Sequence, residues 1–144
     1  MVLLIDANIL LDVLMKRSEF YSNSAIIWRL CEIKRIKGFV SVLTFANIAY
    51  VMRKELDPQL IEDIYKKLGL IFEFADLNES IAERAVSMKW KDFEDALQSA
   101  TAEHIHADYI VTRNVRDFTE SLIPAVTPRE LLAVVMLDSK GLTP

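Results

Sequence analysis

Two hydrophobic rhythms alternate along the chain. Short, nearly unbroken apolar runs occur at Val2-Leu3-Leu4-Ile5, Phe39-Val40-Ser41, Leu70-Ile71-Phe72-Glu73-Phe74, Tyr109-Ile110-Val111-Thr112 and Ala125-Val126. Runs of this length read as strands, and the first and fourth as strands buried on both faces. Between them, apolar residues recur at helical spacing. Asn8 is a suitable N-cap for a helix from Ile9. Asn23 to Lys34 forms a second helical pattern, with Ile26, Ile27, Leu30 and Ile33 on one face, closed by Lys34-Arg35-Ile36-Lys37-Gly38. Thr44 to Lys54 is a third, with Ile48, Val51 and Met52 inward. Asp57-Pro58 starts a fourth, which Gly69 is expected to end after Leu68. Asp76-Leu77-Asn78-Glu79 has capping-box spacing for a helix to Met88, with Asp57 and Asp76 read as caps, and Asp92 to His104 follows as another. Thr127-Pro128-Arg129-Glu130 opens the last helix, whose apolar residues are Leu131, Leu132, Val134 and Val135. Lys16-Arg17-Ser18-Glu19 is a polar break.

Strands alternating with helices predict an α/β fold with a short parallel sheet covered on both faces. No repeat or Pro/Gly/Ser-rich linker divides the 144 residues, so one domain is expected over residues 1–137, with a frayed tail over 138–144. No apolar run reaches the roughly 18 residues a membrane span needs. Met1 runs into the first strand without a basic segment or cleavage site, so no secretory signal is expected. Cys31 is the single cysteine. It precludes an internal disulfide and a cysteine zinc site, reads as a buried thiol, and fits a cytoplasmic protein. The net charge of −4 argues against a general nucleic-acid coat but not against an acidic pocket with local Arg and Lys at its rim.

The candidate chemistry is carboxylate. Asp6 ends the first strand, and in open α/β sheets ligands bind at the strands' carboxyl edge. Asp92 and Asp95, three apart at the start of a helix, share a face, with Glu94 pointing elsewhere. Asp117 lies in the polar loop after the Tyr109–Thr112 strand. Asp92 also reads as a plain N-cap and Asp117 as a loop residue; Asp12 reads as exposed. Two like charges about 4 Å apart cost roughly 4 kcal/mol at an effective dielectric of 20. Converging carboxylates therefore need protons or a cation, and hard oxygen donors suit Mg²⁺ or Mn²⁺. His104 and His106, two apart near a helix end, do not make a metal pair. Trp28 and Trp90 read as core or interface aromatics rather than as stacking platforms.

Four segments carry a family resemblance: Leu4-Ile5-Asp6-Ala7-Asn8-Ile9-Leu10-Leu11-Asp12, Ser41-Val42-Leu43-Thr44-Phe45-Ala46-Asn47-Ile48, Asp92-Phe93-Glu94-Asp95-Ala96-Leu97-Gln98 and Ile110-Val111-Thr112-Arg113-Asn114-Val115-Arg116-Asp117-Phe118. Singly weak, in this order they make the chain resemble the PIN-domain ribonucleases, whose best-known bacterial members are toxins of type II toxin–antitoxin pairs. The resemblance implies a three-layer α/β/α sandwich and metal-dependent cleavage of phosphodiesters in single-stranded RNA. It implies Asp6 as the central metal ligand, Asp95 as a second and Asp117 as a third, with Asp92 as an outer ligand or base. Asn8 would orient Asp6, and Thr112 would support the pocket. Asn47 and Asn114 stand where many members carry acids. One branch of the family has asparagine at both points, and there Asp92 and Asp117 replace the missing charge. Arg17, Arg53, Arg113 and Arg116 are candidates to position an RNA backbone. An antitoxin and a second copy of the chain are the implied protein partners.

Two other readings compete. One is a PIN-like module that holds RNA or an antitoxin with weak or no cleavage, which the uncharged Asn47 and Asn114 favour. The other is a doubly wound phosphate-handling enzyme. Asn8 speaks against a haloacid-dehalogenase-like phosphatase, which needs a second aspartate there, and the absence of paired acids before Asp6 speaks against a receiver domain.

Overall fold

The computed structural model describes residues 1–17 and 19–141. Among these residues five strands form one parallel sheet: β1 (Val2–Ile5), β2 (Lys37–Ser41), β3 (Glu73–Ala75), β4 (Tyr109–Val111) and β5 (Ala125–Val126). Their order is β3-β2-β1-β4-β5, so β1 is central. The chain first builds outward from β1 through β2 to β3. It then returns to lay β4 and β5 on the other side of β1. The point of return, between the carboxyl ends of β1 and β4, is the topological switch point where open α/β sheets bind ligands.

Among the described residues seven helices cover the sheet: α1 (Ala7–Leu14), α2 (Tyr21–Glu32), α3 (Val42–Val51), α4 (Pro58–Ile71), α5 (Glu79–Met88), α6 (Phe93–His104) and α7 (Pro128–Gly141). Strand residues alternate between the faces, as the pleat requires. Leu3, Ile5, Val40 and Val111 pack into one core with Ile9 and Leu10 of α1, Ile27 and Trp28 of α2, Ile48 of α3, Leu68 of α4 and Leu131 of α7. Leu4 and Ile110 point the other way, onto Ala102 of α6 and onto Phe118. On that side α5 and α6 join through Ile81, Ala85, Ala96, Leu97 and Ala100. The result is the expected three-layer α/β/α sandwich.

Several boundaries differ from the sequence reading, each for a local reason. α1 begins at Ala7, because the Asp6 carboxylate caps it by accepting from the Ala7 amide at 2.8 Å. Asn8 lies inside the helix and its side chain is free for other work. α2 runs from Tyr21 to Glu32, and its buried seam is Ser24, Ile27, Trp28 and Cys31, leaving Ile26 and Ile33 exposed. Ser41 caps α3 two residues earlier than expected, and Val51 is exposed while Ile48 and Met52 are buried. Gly69 does not stop α4, which continues to Ile71; β3 shrinks to Glu73–Ala75, and Leu70 projects into solvent. Asn78 rather than Asp76 caps α5. β4 ends at Val111, one residue short of Thr112. α7 remains helical through residues 138–141, part of the stretch expected to fray. Residues 142–144 of that stretch, and Ser18 of the polar break, lie outside the described residues. Among the described residues no helix is long and apolar enough to cross a membrane.

Candidate active site

Asp6 leaves the end of β1 at the switch point. Its carboxylate is held from three directions. Ala7 N donates to Oδ1 at 2.8 Å, while Thr112 Oγ1 at 2.8 Å and Asn8 Nδ2 at 3.3 Å donate to Oδ2. Thr112 is fully buried just past β4, so β1 and β4 are joined here by side chains as well as by their ladder. Thr112 Oγ1 in turn accepts from the Asn114 amide at 3.0 Å, and Asn8 Oδ1 accepts from the Arg113 amide at 3.2 Å. The network fixes the orientation of Asp6 and leaves Oδ1 with one unused lone pair.

α6 brings its first turn to the same rim. Asp92 caps the helix, accepting from the Asp95 amide at 3.1 Å, so the ordinary capping role and a place at the rim coexist in one residue. Buried Gln98 donates to Thr44 Oγ1 at 2.7 Å, which ties α6 to α3 and fixes how deeply Asp95 enters. Asp117 arrives from a 3-10 turn over Val115–Phe118, seated by buried Phe118. Burial pushes the Asp95 carboxyl up to about 7, with further upward contributions from Asp92, Asp117, Asp6 and Glu94 in that order. The carboxylates at the end of β1, the start of α6 and the 3-10 turn thus lie near enough for their charge to act on Asp95. A cleft of about 860 Å³ opens beside them, lined by Asp92, Asp95, Asp117 and Arg116 among others.

Glu94 does not point away from this group. Asn47 Nδ2 of α3 donates to its Oε1, so the amide that stands in place of an acid is met by an acid from α6. The signal for Glu94 was the Asn47 departure itself, which leaves room and need for a charge nearby.

Asp12 is a correction. It is 0% exposed, not a solvated helix residue. Ser24 Oγ donates to it at 3.0 Å, and Arg113 Nη2 and Arg17 Nη1 lie 3.2 and 3.7 Å from its Oδ1. Of the candidate backbone-positioning arginines, Arg17 and Arg113 therefore gather on Asp12, Arg113 also lying 3.9 Å over the Phe20 ring. Arg116 lines the acidic cleft. Arg53 lies beyond α3, over the Tyr50 ring at 4.2 Å and bonded to the Tyr50 carbonyl. Trp28 is core, set edge-on to Phe72, whereas half-buried Trp90 lines the cleft and packs edge-on to Phe118. Cys31 is buried, and burial pushes its thiol up to about 12.

The donor set matches a hard divalent ion: carboxylate oxygens only, an excess of negative charge, and a preoriented Asp6. Among the described residues, no three acidic or histidine side chains stand together in coordinating positions, so sharing an ion requires their side chains to turn toward one another.

The fold is shared with solved structures of low sequence identity. The chain is similar to a chain of VapBC2 from Rickettsia felis bound to a DNA fragment from their promoter, at 16% identity and a TM-score of 0.66, covering 88% of this chain and 98% of that one. It is similar to a chain of FitAB bound to the IR36 DNA fragment, at 16% identity and a TM-score of 0.63 over 88% and 94%. A toxin–antitoxin complex from Klebsiella pneumoniae gives 23% identity and a TM-score of 0.62 over 87% and 96%. These likenesses define the fold. No curated protein sequence matches the chain. The PIN domain profile matches residues 2–116, and the chain belongs to the PIN domain family, whose members are generally nucleases.

Proposed function

We propose that the protein is a metal-dependent endoribonuclease that hydrolyses phosphodiester bonds in single-stranded RNA, as the toxin of a toxin–antitoxin pair. The observation that carries this reading is the crowding of Asp95 by Asp92, Asp117, Asp6 and Glu94 at the sheet's switch point. Such crowding has little structural value, and a divalent cation relieves it. Asp6, Asp95 and Asp117 would hold Mg²⁺ or Mn²⁺, which when bound supplies charge stabilisation at a phosphoryl oxygen and lowers the pKa of a bound water.

The chain's own residues do the rest. Thr112, Asn8 and the Ala7 amide keep the Asp6 carboxylate aimed. Asp92, exposed at the mouth of the cleft, accepts a proton from the attacking water. Asn47 and Asn114 carry no charge; Asn47 keeps Glu94 at the rim, and the Asn114 amide orients Thr112. Arg116 neutralises a substrate phosphate at the cleft, whereas Arg17 and Arg113 are held on Asp12 and Arg53 on Tyr50. The toxin–antitoxin assemblies among the similar structures support an antitoxin partner, and a homodimer is the companion proposal. A cytoplasmic location fits both.

Cleavage of a fluorogenic single-stranded RNA with Mn²⁺ tests the reading. Wild type should cut, EDTA should stop it, and Asp6→Asn should abolish cutting while keeping the fold. Cutting by Asp6→Asn at the wild-type rate would overturn it. The second reading, a module that binds RNA or an antitoxin without turnover, is favoured by uncharged Asn47 and Asn114; a protein that takes up no Mn²⁺ at millimolar concentration would support it.

A further inference from the structure

Phe93 is the first residue of α6, set between the cap Asp92 and Asp95, and it is 47% exposed. It belongs to none of the three apolar clusters that make the core. Instead its ring lines the acidic cleft. An aromatic side chain held partly in water at this point lacks a packing reason. The cleft lining on its N-terminal side carries two lysines, beyond the acidic Asp92. Lys89 closes α5 in the left-handed region, at φ 57°, and the sharp turn it makes brings Lys89, Trp90 and Lys91 onto the same cleft. Both lysines are exposed, and neither has an acidic partner within ion-pair distance among the described residues. The same cleft therefore offers an aromatic side chain and two free lysine charges as well as the acids.

We propose that Phe93 is a stacking surface for an unpaired nucleobase, with Lys89 and Lys91 holding neighbouring phosphates, so that the cleft takes single-stranded nucleic acid with one base laid on the start of α6. This rests on the proposed function and names how the same cleft selects its substrate. Every base has a π-face, so the subsite tolerates sequence; a duplex keeps its bases stacked, so the subsite selects single strands. Lysine ammonium groups suit phosphates as flexible point charges, without the fixed geometry that reads a base.

The test is fluorescence anisotropy of a labelled single-stranded RNA in the Asp6→Asn background, which holds hydrolysis off and lowers the cleft's negative charge. Phe93→Ala and Phe93→Leu should each weaken binding by roughly ten-fold or more, Phe93→Trp should restore it, and affinity for a duplex of the same sequence should not respond to the series. Lys89→Ala with Lys91→Ala should lower the slope of log affinity against log salt by about 1.4. Circular dichroism checks that each variant is folded. Single-strand affinity indifferent to Phe93, full affinity in Phe93→Leu, or no single-strand binding at all would overturn the proposal. So would a Phe93 series that changes affinity only for a protein partner, which would make the wall a protein-docking face. Failure of the function itself reads differently: wild type would not cut RNA although the Phe93 series behaved as stated.

Discussion

Thr112 Oγ1 donates a 2.8 Å hydrogen bond to Asp6 Oδ2, joining residues 106 positions apart across the switch point of the sheet. Thr112 is fully buried and has no route to solvent of its own. Its hydroxyl accepts from the Asn114 amide while donating to Asp6, so the proton's direction is fixed by its neighbours. The strand pairing of β1 with β4 sets the distance, and the side-chain bond sets the angle of the carboxylate.

Thr112→Val keeps the shape and removes this donor. Metal affinity and RNA cleavage should fall by about 10–100-fold, the usual cost of losing a group that orients a ligand. Thr112→Ser should retain most of both. Manganese titration calorimetry and a cleavage assay check the pair, and a Thr112→Val variant with wild-type affinity would show that Asp6 needs no such support.

Asp95 makes stability depend on pH in the metal-free protein. Its folded-state pKa, about 7, lies above the ordinary aspartate value of 3.8. The folded state thus binds the proton more tightly, and stability falls as pH rises through the window between those values. Above about 7 the penalty is fully present. Thermal melts from pH 4 to pH 8 should show a declining midpoint that Asp95→Asn flattens and that added Mg²⁺ lifts at the alkaline end. Because Asp95 is partly exposed, the change is modest.

Asp12 should prove structural. Its buried carboxylate faces Ser24, Arg17 and Arg113, and removing it strands the two guanidinium groups. Asp12→Ala should cost about 3 kcal/mol in urea unfolding. Arg17, 34% exposed, leaves water behind less completely than Asp12, so Arg17→Ala should cost less. Equal losses would place the weight of the cluster elsewhere.

Gly38 of β2 has no room for a side chain. A Cβ there would stand 2.7 Å from Cys31 Sγ and 2.9 Å from a Phe72 ring carbon. Gly38→Ala should destabilise by about 1–3 kcal/mol, and trimming the opposing ring with Phe72→Leu should recover part of that loss. Independent, additive losses in the double variant would contradict the packing described.

β1 and β4 were legible because they are apolar on both faces, and that follows from burial alone. Helix ends were less so. Gly69 carries a breaker's composition, yet α4 passes through it because the helix is held from Leu68 and Ile64 by the core. Asp6 took the cap that Asn8 was expected to supply, which frees the Asn8 amide to reach Asp6 and Thr112. Asp12 was misread because its partner Arg113 is a hundred residues distant, and a period-based reading of α1 has no access to it. Asp6, Asp92, Asp95 and Asp117 could be grouped in advance, since helix starts and strand ends share one rim in this architecture. Glu94 was set apart because helical spacing puts it off the Asp92–Asp95 face, and Phe93 carried no signal of its own; Gln98 and Thr44 tie α6 to α3, and that placement decides what its first turn presents.

The central claim is that carboxylates from β1, α6 and the 3-10 turn share one divalent ion. Calorimetric titration with Mn²⁺ of wild type, Asp6→Asn, Asp95→Asn and Asp117→Asn addresses it directly. Saturable binding by wild type, lost or strongly weakened in each of the three variants with folding intact, is the predicted result. Wild-type binding that persists unchanged in Asp6→Asn and Asp95→Asn, or wild type that binds no ion, would contradict it.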